Sequence, residues 1–199
     1  MAYRIDLTEG HSWLEIYDHL PDEIRVSPTC FEELWSLRPE HPSKVTVYGH
    51  VHDTPRLMQT FGQSYYFSRQ EHPALPITHP YLLHLLEWVQ QHSGLPYAQI
   101  LINWYRDGQD YIADHSDNEK SIVPDSPIYS FSFGAQRKFI IHSKNTPRCK
   151  KTEHEIPLKD NTLVIMCGEM QKFYKHGVPK SSNSGRRINI TFRYNLISS

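Results

Sequence analysis

Two histidines and one aspartate are the residues best placed to do chemistry. His115 and Asp117 flank Ser116, where an alternating stretch at 110–115 runs into the polar loop DNEKSIVPDSP. Residues two apart on a strand project to the same side, so this imidazole and this carboxylate can reach one ion. His176, in FYKHGVP, is the best candidate for a third ligand. Two histidines and a carboxylate on one face of an iron leave the opposite positions open, the arrangement of non-haem Fe(II) oxygenases. His-x-Asp alone is a weak signal, because a chain with 13 histidines produces it by chance. Its context strengthens it, since His176 lies on a predicted strand and Arg187 follows it by 11 residues (187 − 176).

The segment 186–194, RRINITFRY, supplies that context. Arg187, Asn189, Thr191 and Arg193 occupy one face of a strand, and Ile188, Ile190, Phe192 and Tyr194 the other. A polar face can simply meet solvent. The alternative is an interior built to hold an anion, because each guanidinium can grip a carboxylate with two parallel bonds. A cosubstrate with two carboxylates, chelating iron through one end, needs such a cation for the other.

Around these residues, 110–115, 172–178 and 186–194 must be strands, and the second half of the chain reads that way. Period-two alternation marks 98–104, 110–115, 128–133, 137–142, 154–158, 161–166, 172–178 and 186–194. The helical signal lies earlier. Segment 30–38 follows Thr29, a plausible cap, and stops before Pro39; segment 80–93 carries Leu82, Leu85, Leu86 and Val89 on one stripe and ends at Gly94 and Pro96. Many short strands with helices in front predict an α+β, mainly β fold, a jelly-roll-like double sheet. The first 40 residues hold no motif with a chemical reading.

Composition removes other classes. At 199 residues, with 22% charged and 12% aromatic residues, 9 Gly and 14 Pro, the chain is globular and long enough for one well-filled domain. No run of 18 apolar residues and no apolar signal core occur, so neither a membrane span nor secretion is expected. Cys30, Cys149 and Cys167 form no C-x-x-C pair, which fits free thiols in an intracellular, reducing setting. Net charge is −1, but residues 1–100 carry 6 basic and 12 acidic side chains (−6) and residues 101–199 carry 15 and 10 (+5). From Phe131 to Arg193 the balance is 13 against 4, which suggests a polyanion-facing surface, although a solvated basic face explains it as well.

Taken in order, these motifs resemble the AlkB-like Fe(II)/2-oxoglutarate dioxygenases, and most closely the animal-type demethylases that repair alkylated bases in DNA. The resemblance spans residues 44–195, and the chain 1–199 reads as a single domain in which 1–43 is an N-terminal extension. It rests on VYG at 47–49, PR at 55–56, FG at 61–62, YYFS at 65–68 and LINWYRDG at 101–108. HSDNE at 115–119, SPIYSFSFGAQRKF at 126–139, the His176 strand and RINITFR at 187–193 complete it. It implies a double-stranded β-helix core over 98–195 and a nucleotide-recognition region over 44–97.

The resemblance also implies roles. His115, Asp117 and His176 would bind Fe(II). Arg187 and Arg193 would hold the carboxylates of 2-oxoglutarate, with Asn189 and Thr191 assisting and Asn103 and Tyr105 closing over it; O2 is the other cosubstrate. A flipped base would stack between Phe67 and His115, its edge read by Tyr65 and Glu119. Asn118 stands where family members often carry an acid, a departure that bears on which exocyclic groups are accepted. Tyr48 would be the wedge that probes the duplex, with Gly49, His50 and Tyr66 alongside in the substrate-binding set. Arg56 and Arg137 are implied as supports or phosphate contacts. Lys138, Lys144, Arg148, Lys150 and Lys151 would either track a phosphate backbone or decorate a solvated loop. The expected reaction is demethylation of 1-methyladenine and 3-methylcytosine, in DNA before RNA, by a monomer. Rival readings are a same-fold dioxygenase acting on RNA, protein or a small molecule, and a binding module with a decayed iron site.

Overall fold

The computed structural model describes residues 2–47, 50–67, 70–144 and 152–196, with the side chains of 46, 47, 65–67, 70–72 and 152 outside that description. The chain opens with β1 (Ala2–Asp6) and β2 (Ser12–Tyr17), a 3-10 turn at Asp22–Ile24 and helix α1 (Pro28–Ser36). β3 (Lys44–Val47) pairs with β4 (His50–Asp53). After β5 (Leu57–Gly62), β6 (Tyr65–Phe67) pairs with β7 (Gln70–His72), and β8 (Ala74–Leu75) leads to helix α2 (Pro80–Ser93). The second half is β9 (Gln99–Tyr105), β10 (Ile112–His115), β11 (Ile128–Gly134), β12 (Arg137–Ser143), β13 (Thr152–Leu158) and β14 (Thr162–Gly168). A single helical turn, α3 (Met170–Phe173), then precedes β15 (Tyr174–Val178) and β16 (Arg187–Arg193).

Eight strands form the major sheet, in the order β1-β2-β14-β11-β16-β9-β5-β8, and four form the minor sheet, β10-β15-β12-β13. Within these two sheets the pairings are antiparallel except β5 with β8. The major sheet is buried on both faces. One face packs under α1 and α2: Leu34, Trp35, Leu82, Leu85 and Val89 meet Ile100, Ile102, Phe131, Ile188, Ile190 and Phe192 in one core. The other meets the minor sheet, where Leu14, Ile16, Val164 and Met166 pack with Phe139, Ile141, Ile156 and Tyr174. Burying each such side chain contributes roughly 1.5–3 kcal/mol, which is why the strands hold this order. The indole Nε1–H of Trp104 donates to the Leu34 carbonyl at 3.0 Å, tying α1 to the sheet. This is a jelly-roll double sheet with helices on one flank. Among the described residues no helix is long and apolar enough to cross a membrane.

Three departures from the sequence reading have simple causes. The cap of α1 is Ser27, whose Oγ accepts from the Cys30 N–H at 3.2 Å, rather than Thr29; Pro28 fits the first helical position, where a missing N–H costs nothing. The segment 172–178 is strand only from Tyr174, because the four residues before it close the α3 turn. The major sheet also extends beyond 98–195, taking β1 and β2 from the N-terminal extension and β5 and β8 from the middle of the chain.

Candidate active site

The residue types of β16 explain the site, because its two faces do opposite things. Ile188, Ile190 and Phe192 sit in the helix-side core, while Arg187, Asn189, Thr191 and Arg193 face a cavity of about 560 Å³ between the two sheets. All seven residues of the strand are buried, so its polar face does not meet solvent. Across the cavity, β10 and β15 pair so that His115 lies opposite His176, with ring centroids 4.4 Å apart. Asp117 follows β10 and completes the group: its Oδ1 is 3.8 Å from His115 Nε2 and its Oδ2 is 3.7 Å from His176 Nε2. One donor atom from each of the three lies within 4.8 Å of the others.

Hydrogen bonds orient these donors. The Nδ1–H of His115 donates to the Ala113 carbonyl at 2.9 Å, which leaves Nε2 as the acceptor-bearing nitrogen on the Asp117 side. The Asp117 N–H donates to Gln171 Oε1 at 2.9 Å, and the Ser116 hydroxyl donates to the Tyr174 carbonyl at 2.6 Å. Arg193 Nη2 donates to Asp117 Oδ1 at 2.7 Å in a fully buried ion pair. Burial would raise the Asp117 carboxyl, but Arg193, His115 and His176 outweigh it and hold the group well below the usual carboxylate range. Burial pushes both imidazoles down, His176 to about 3, with His115 adding to the effect and Asp117 opposing it. The cluster therefore presents one carboxylate and two neutral imidazoles. Those are the protonation states that a divalent metal requires.

A second polar group stands further along β16. Arg56 Nε donates to Asn103 Oδ1 at 2.6 Å, and Asn103 Nδ2 donates to Asn189 Oδ1 at 3.3 Å. Thr191 Oγ1 donates to the same Asn189 oxygen at 3.1 Å, while Asn189 Nδ2 reaches Ser130 Oγ and the Phe131 carbonyl, both at 2.9 Å. This register follows from β9 pairing with β16, which sets Asn103 opposite Asn189 and Tyr105 opposite Arg187. Arg187 lies over the Tyr105 ring at 4.8 Å and donates to Ser132 Oγ at 2.9 Å. Its Nε and Nη1 are buried and make no hydrogen bond of normal geometry, the Tyr105 side chain is their nearby polar neighbour, and no carboxylate among the described residues pairs with the guanidinium. Burial lowers its pKa, with Tyr105 opposing and Arg137 adding to the shift. A buried cation with no carboxylate partner in a cavity fits the carboxylate of an anionic ligand.

Comparison with known proteins agrees with this geometry. The sequence profile of the 2OG-Fe(II) oxygenase superfamily matches residues 31–193. The chain belongs to that superfamily. Within it the chain is similar to AlkB homologues: it is 38% identical over 124 residues to the alpha-ketoglutarate-dependent dioxygenase alkB homolog 3 of Bos taurus, covering 59% of this chain and 43% of that protein. It is 32% identical over 123 residues to the DNA oxidative demethylase ALKBH2 of Homo sapiens, covering 59% and 47%. The chain thus spans less than half the length of these two relatives. The solved structure of OsALKBH1 has the same fold, with a TM-score of 0.61 at 17% identity over 95% of this chain and 100% of that one. As a 2-oxoglutarate-dependent dioxygenase, the family works with Fe(II), 2-oxoglutarate and O2, and the His115–Asp117–His176 cluster is compatible with iron.

The expected substrate-side residues are less assembled than the His115–Asp117–His176 cluster. Tyr48 and Gly49 lie outside the described residues, as do Arg148, Lys150 and Lys151 of the basic cluster. Tyr65, Tyr66 and Phe67 form β6, and their side chains lie outside the description. His50 is exposed on β4, Asn118 is exposed and Glu119 half-buried, and none of the three lines the cavity. His52, Asp53, Thr54 and Tyr111 do line it, although no motif singled them out.

Of the two roles implied for Arg137 and Arg56, support or phosphate contact, their burial disfavours the second. Arg137 is 2% exposed and donates to the carbonyls of Asp107, Asp110 and Pro179, so it clamps the β9–β10 turn to the end of β15. Arg56 is 8% exposed and is bound to Asn103. Both are supports. Lys138 is ion-paired with Glu155 at 2.8 Å, and Lys144 Nζ donates to the Gln171 carbonyl. Gln171 itself was invisible to sequence reasoning, since a lone glutamine in a short turn carries no signal until the fold sets it against Asp117.

Proposed function

We propose that this oxygenase is an oxidative demethylase of N-alkylated nucleobases, acting inside the cell as a monomer on 1-methyladenine and 3-methylcytosine in DNA in preference to RNA. One observation supports the reading most: the three metal ligands and the unmatched guanidinium of Arg187 share a single cavity, in a chain about a third identical to DNA oxidative demethylases. His115, Asp117 and His176 would hold Fe(II), which with 2-oxoglutarate and O2 supplies the oxidant that hydroxylates an N-methyl group. Arg187 would bind the far carboxylate of 2-oxoglutarate, with Asn103, Tyr105, Asn189 and Thr191 shaping its berth. Arg193, which lines the same cavity and is paired with Asp117, would hold a carboxylate of 2-oxoglutarate together with Arg187. Met58, Leu101, Phe139, Met166 and Val178 wall the cavity with apolar surface, which limits water around the reacting carbon. Once hydroxylated, the methyl group leaves as formaldehyde and the plain base is restored.

On the substrate side, Phe67 and His115 would sandwich the flipped base, with Tyr65, Tyr66, Asn118 and Glu119 at its edge and Tyr48, Gly49 and His50 toward the duplex. 1-Methyladenine and 3-methylcytosine carry positive charge, so a carboxylate such as Glu119 near the edge favours them over the neutral base. The test is anaerobic loading with Fe(II) and 2-oxoglutarate, then air and a methylated oligonucleotide, with mass spectrometry reading replacement of CH3 by H. That loss on DNA, abolished by His115→Ala, is the expected result. Succinate formed without base demethylation would move the substrate to RNA, protein or a small molecule. No succinate at all would overturn the oxygenase assignment of this site.

A further inference from the structure

The profile match begins at residue 31, yet residues 2–17 form two strands of the major sheet and their turn reaches the metal ligands through a short chain of contacts. β2 pairs with β14 from Tyr17 opposite Leu163 to Ser12 opposite Gly168. Gly168 has φ +63, and a Cβ there would lie 1.9 Å from the His11 carbonyl oxygen, so only glycine lets the turn settle against the end of β14. The Glu169 N–H donates to that carbonyl at 2.9 Å, and the His11 N–H donates to Glu169 Oε2 at 3.2 Å. Gly10, with φ +65, lies so close to the Phe173 ring that a Cβ would stand 2.6 Å from it. The turn is thereby fastened to residues 168–173.

The next contact is the one that matters. The Glu9 N–H donates to the Tyr174 hydroxyl at 2.6 Å, and Thr8 Oγ1 lies 3.3 Å from the same oxygen. Glu9 Oε1 accepts from Ser143 Oγ at 2.8 Å, which holds the turn to β12 as well. Tyr174 is fully buried and begins β15, two residues before His176 and on the same face. Its carbonyl accepts the Ser116 hydroxyl, between the other two ligands, while Gln171 in the same segment accepts the Asp117 N–H.

We propose that the N-terminal hairpin is a positioning element for the iron site, acting through Tyr174, whose hydroxyl it holds and whose backbone sets His176, Ser116 and Asp117. The inference rests on the iron-site reading above. It gives residues outside the family profile a role in metal affinity, and not only in covering the edge of a sheet.

The test uses the full chain, freed of metal and titrated with Co(II), whose visible absorption reports both affinity and ligand geometry. Tyr174→Phe keeps the ring in the core and deletes only the hydroxyl. Removing a direct outer-shell partner typically costs 10–100-fold in metal affinity, so this more remote change should weaken Co(II) binding by roughly three- to tenfold and alter the absorption bands. Tyr17→Phe is the control. Its hydroxyl bonds to His92 at 3.0 Å, on the same hairpin but away from the site, and its Co(II) affinity should equal wild type. Gly10→Ala, which displaces the turn from outside the metal site, should reproduce the Tyr174→Phe loss. Unchanged Co(II) affinity and spectrum in both Tyr174→Phe and Gly10→Ala, with wild type binding one ion, would sink the inference and leave the iron site standing. A wild-type chain that binds no Co(II) would overturn both.

Discussion

The two faces of β16 make the sharpest contrast in the molecule. On the helix side, Ile188, Ile190 and Phe192 are enclosed by apolar partners. On the cavity side, Arg193 is paired with Asp117, while Arg187 donates to Ser132 Oγ and meets no carboxylate among the described residues. The strand is thus stabilising on one face and partly unsatisfied on the other. Leaving a guanidinium unmatched costs stability, and that cost is what a carboxylate ligand relieves on binding. Within the polar face the two arginines also differ in their neighbours: Arg193 is bound to Asp117, and Arg187 lies over the Tyr105 ring.

Substitutions can separate these roles. Phe131→Ala removes a ring from the helix-side core and should destabilise the metal-free protein by about 3–5 kcal/mol, read by denaturant unfolding, with 2-oxoglutarate affinity of the folded fraction unchanged. Asp117→Ala should cost a comparable amount, about 3–5 kcal/mol, because it strands the buried Arg193 charge, and metal binding should vanish with it. Equal stability of Asp117→Ala and wild type would break the view that Asp117 compensates the buried Arg193 charge. Arg187→Met should move the two quantities in opposite directions. It removes an unpaired buried charge, so the metal-free protein should be no less stable, yet 2-oxoglutarate binding should weaken by about 2–5 kcal/mol in calorimetry on the metal-loaded protein. The smallest effect tests the helix cap: Ser27→Ala should cost about 1 kcal/mol and Thr29→Ala much less.

The candidate site was more legible than the parts that support it, for a physical reason. Alternation on 186–194 sorts polar from apolar residues whatever the rest of the fold does, and His-x-Asp at a strand end brings two donors to one side. Arg137 was legible as a support or a phosphate contact but its partners were not, because carbonyls from Asp107, Asp110 and Pro179 converge on it only after folding. The strand SWLEIY also alternates, with Ser12, Leu14 and Ile16 buried, but six residues without flanking motifs are too short a signal to weigh. The edge strand AYRID alternates as well, Tyr3 and Ile5 against Arg4 and Asp6, but over five residues, and in the fold only Ile5 is even half-buried.

Taken alone, the sequence determined which residues face which way along strands such as β9 and β16, where α2 begins and ends, and which histidines and aspartate were candidates for a metal. Those properties come from backbone periodicity and side-chain chemistry over a few neighbouring residues. Tertiary structure decided the rest: His176 set opposite His115 by the pairing of β10 with β15, Asp117 matched to Arg193 across 76 residues, and the N-terminal turn fastened to Tyr174 across 165. Such partners are chosen by strand order and register, which depend on how whole faces bury together and not on any local pattern.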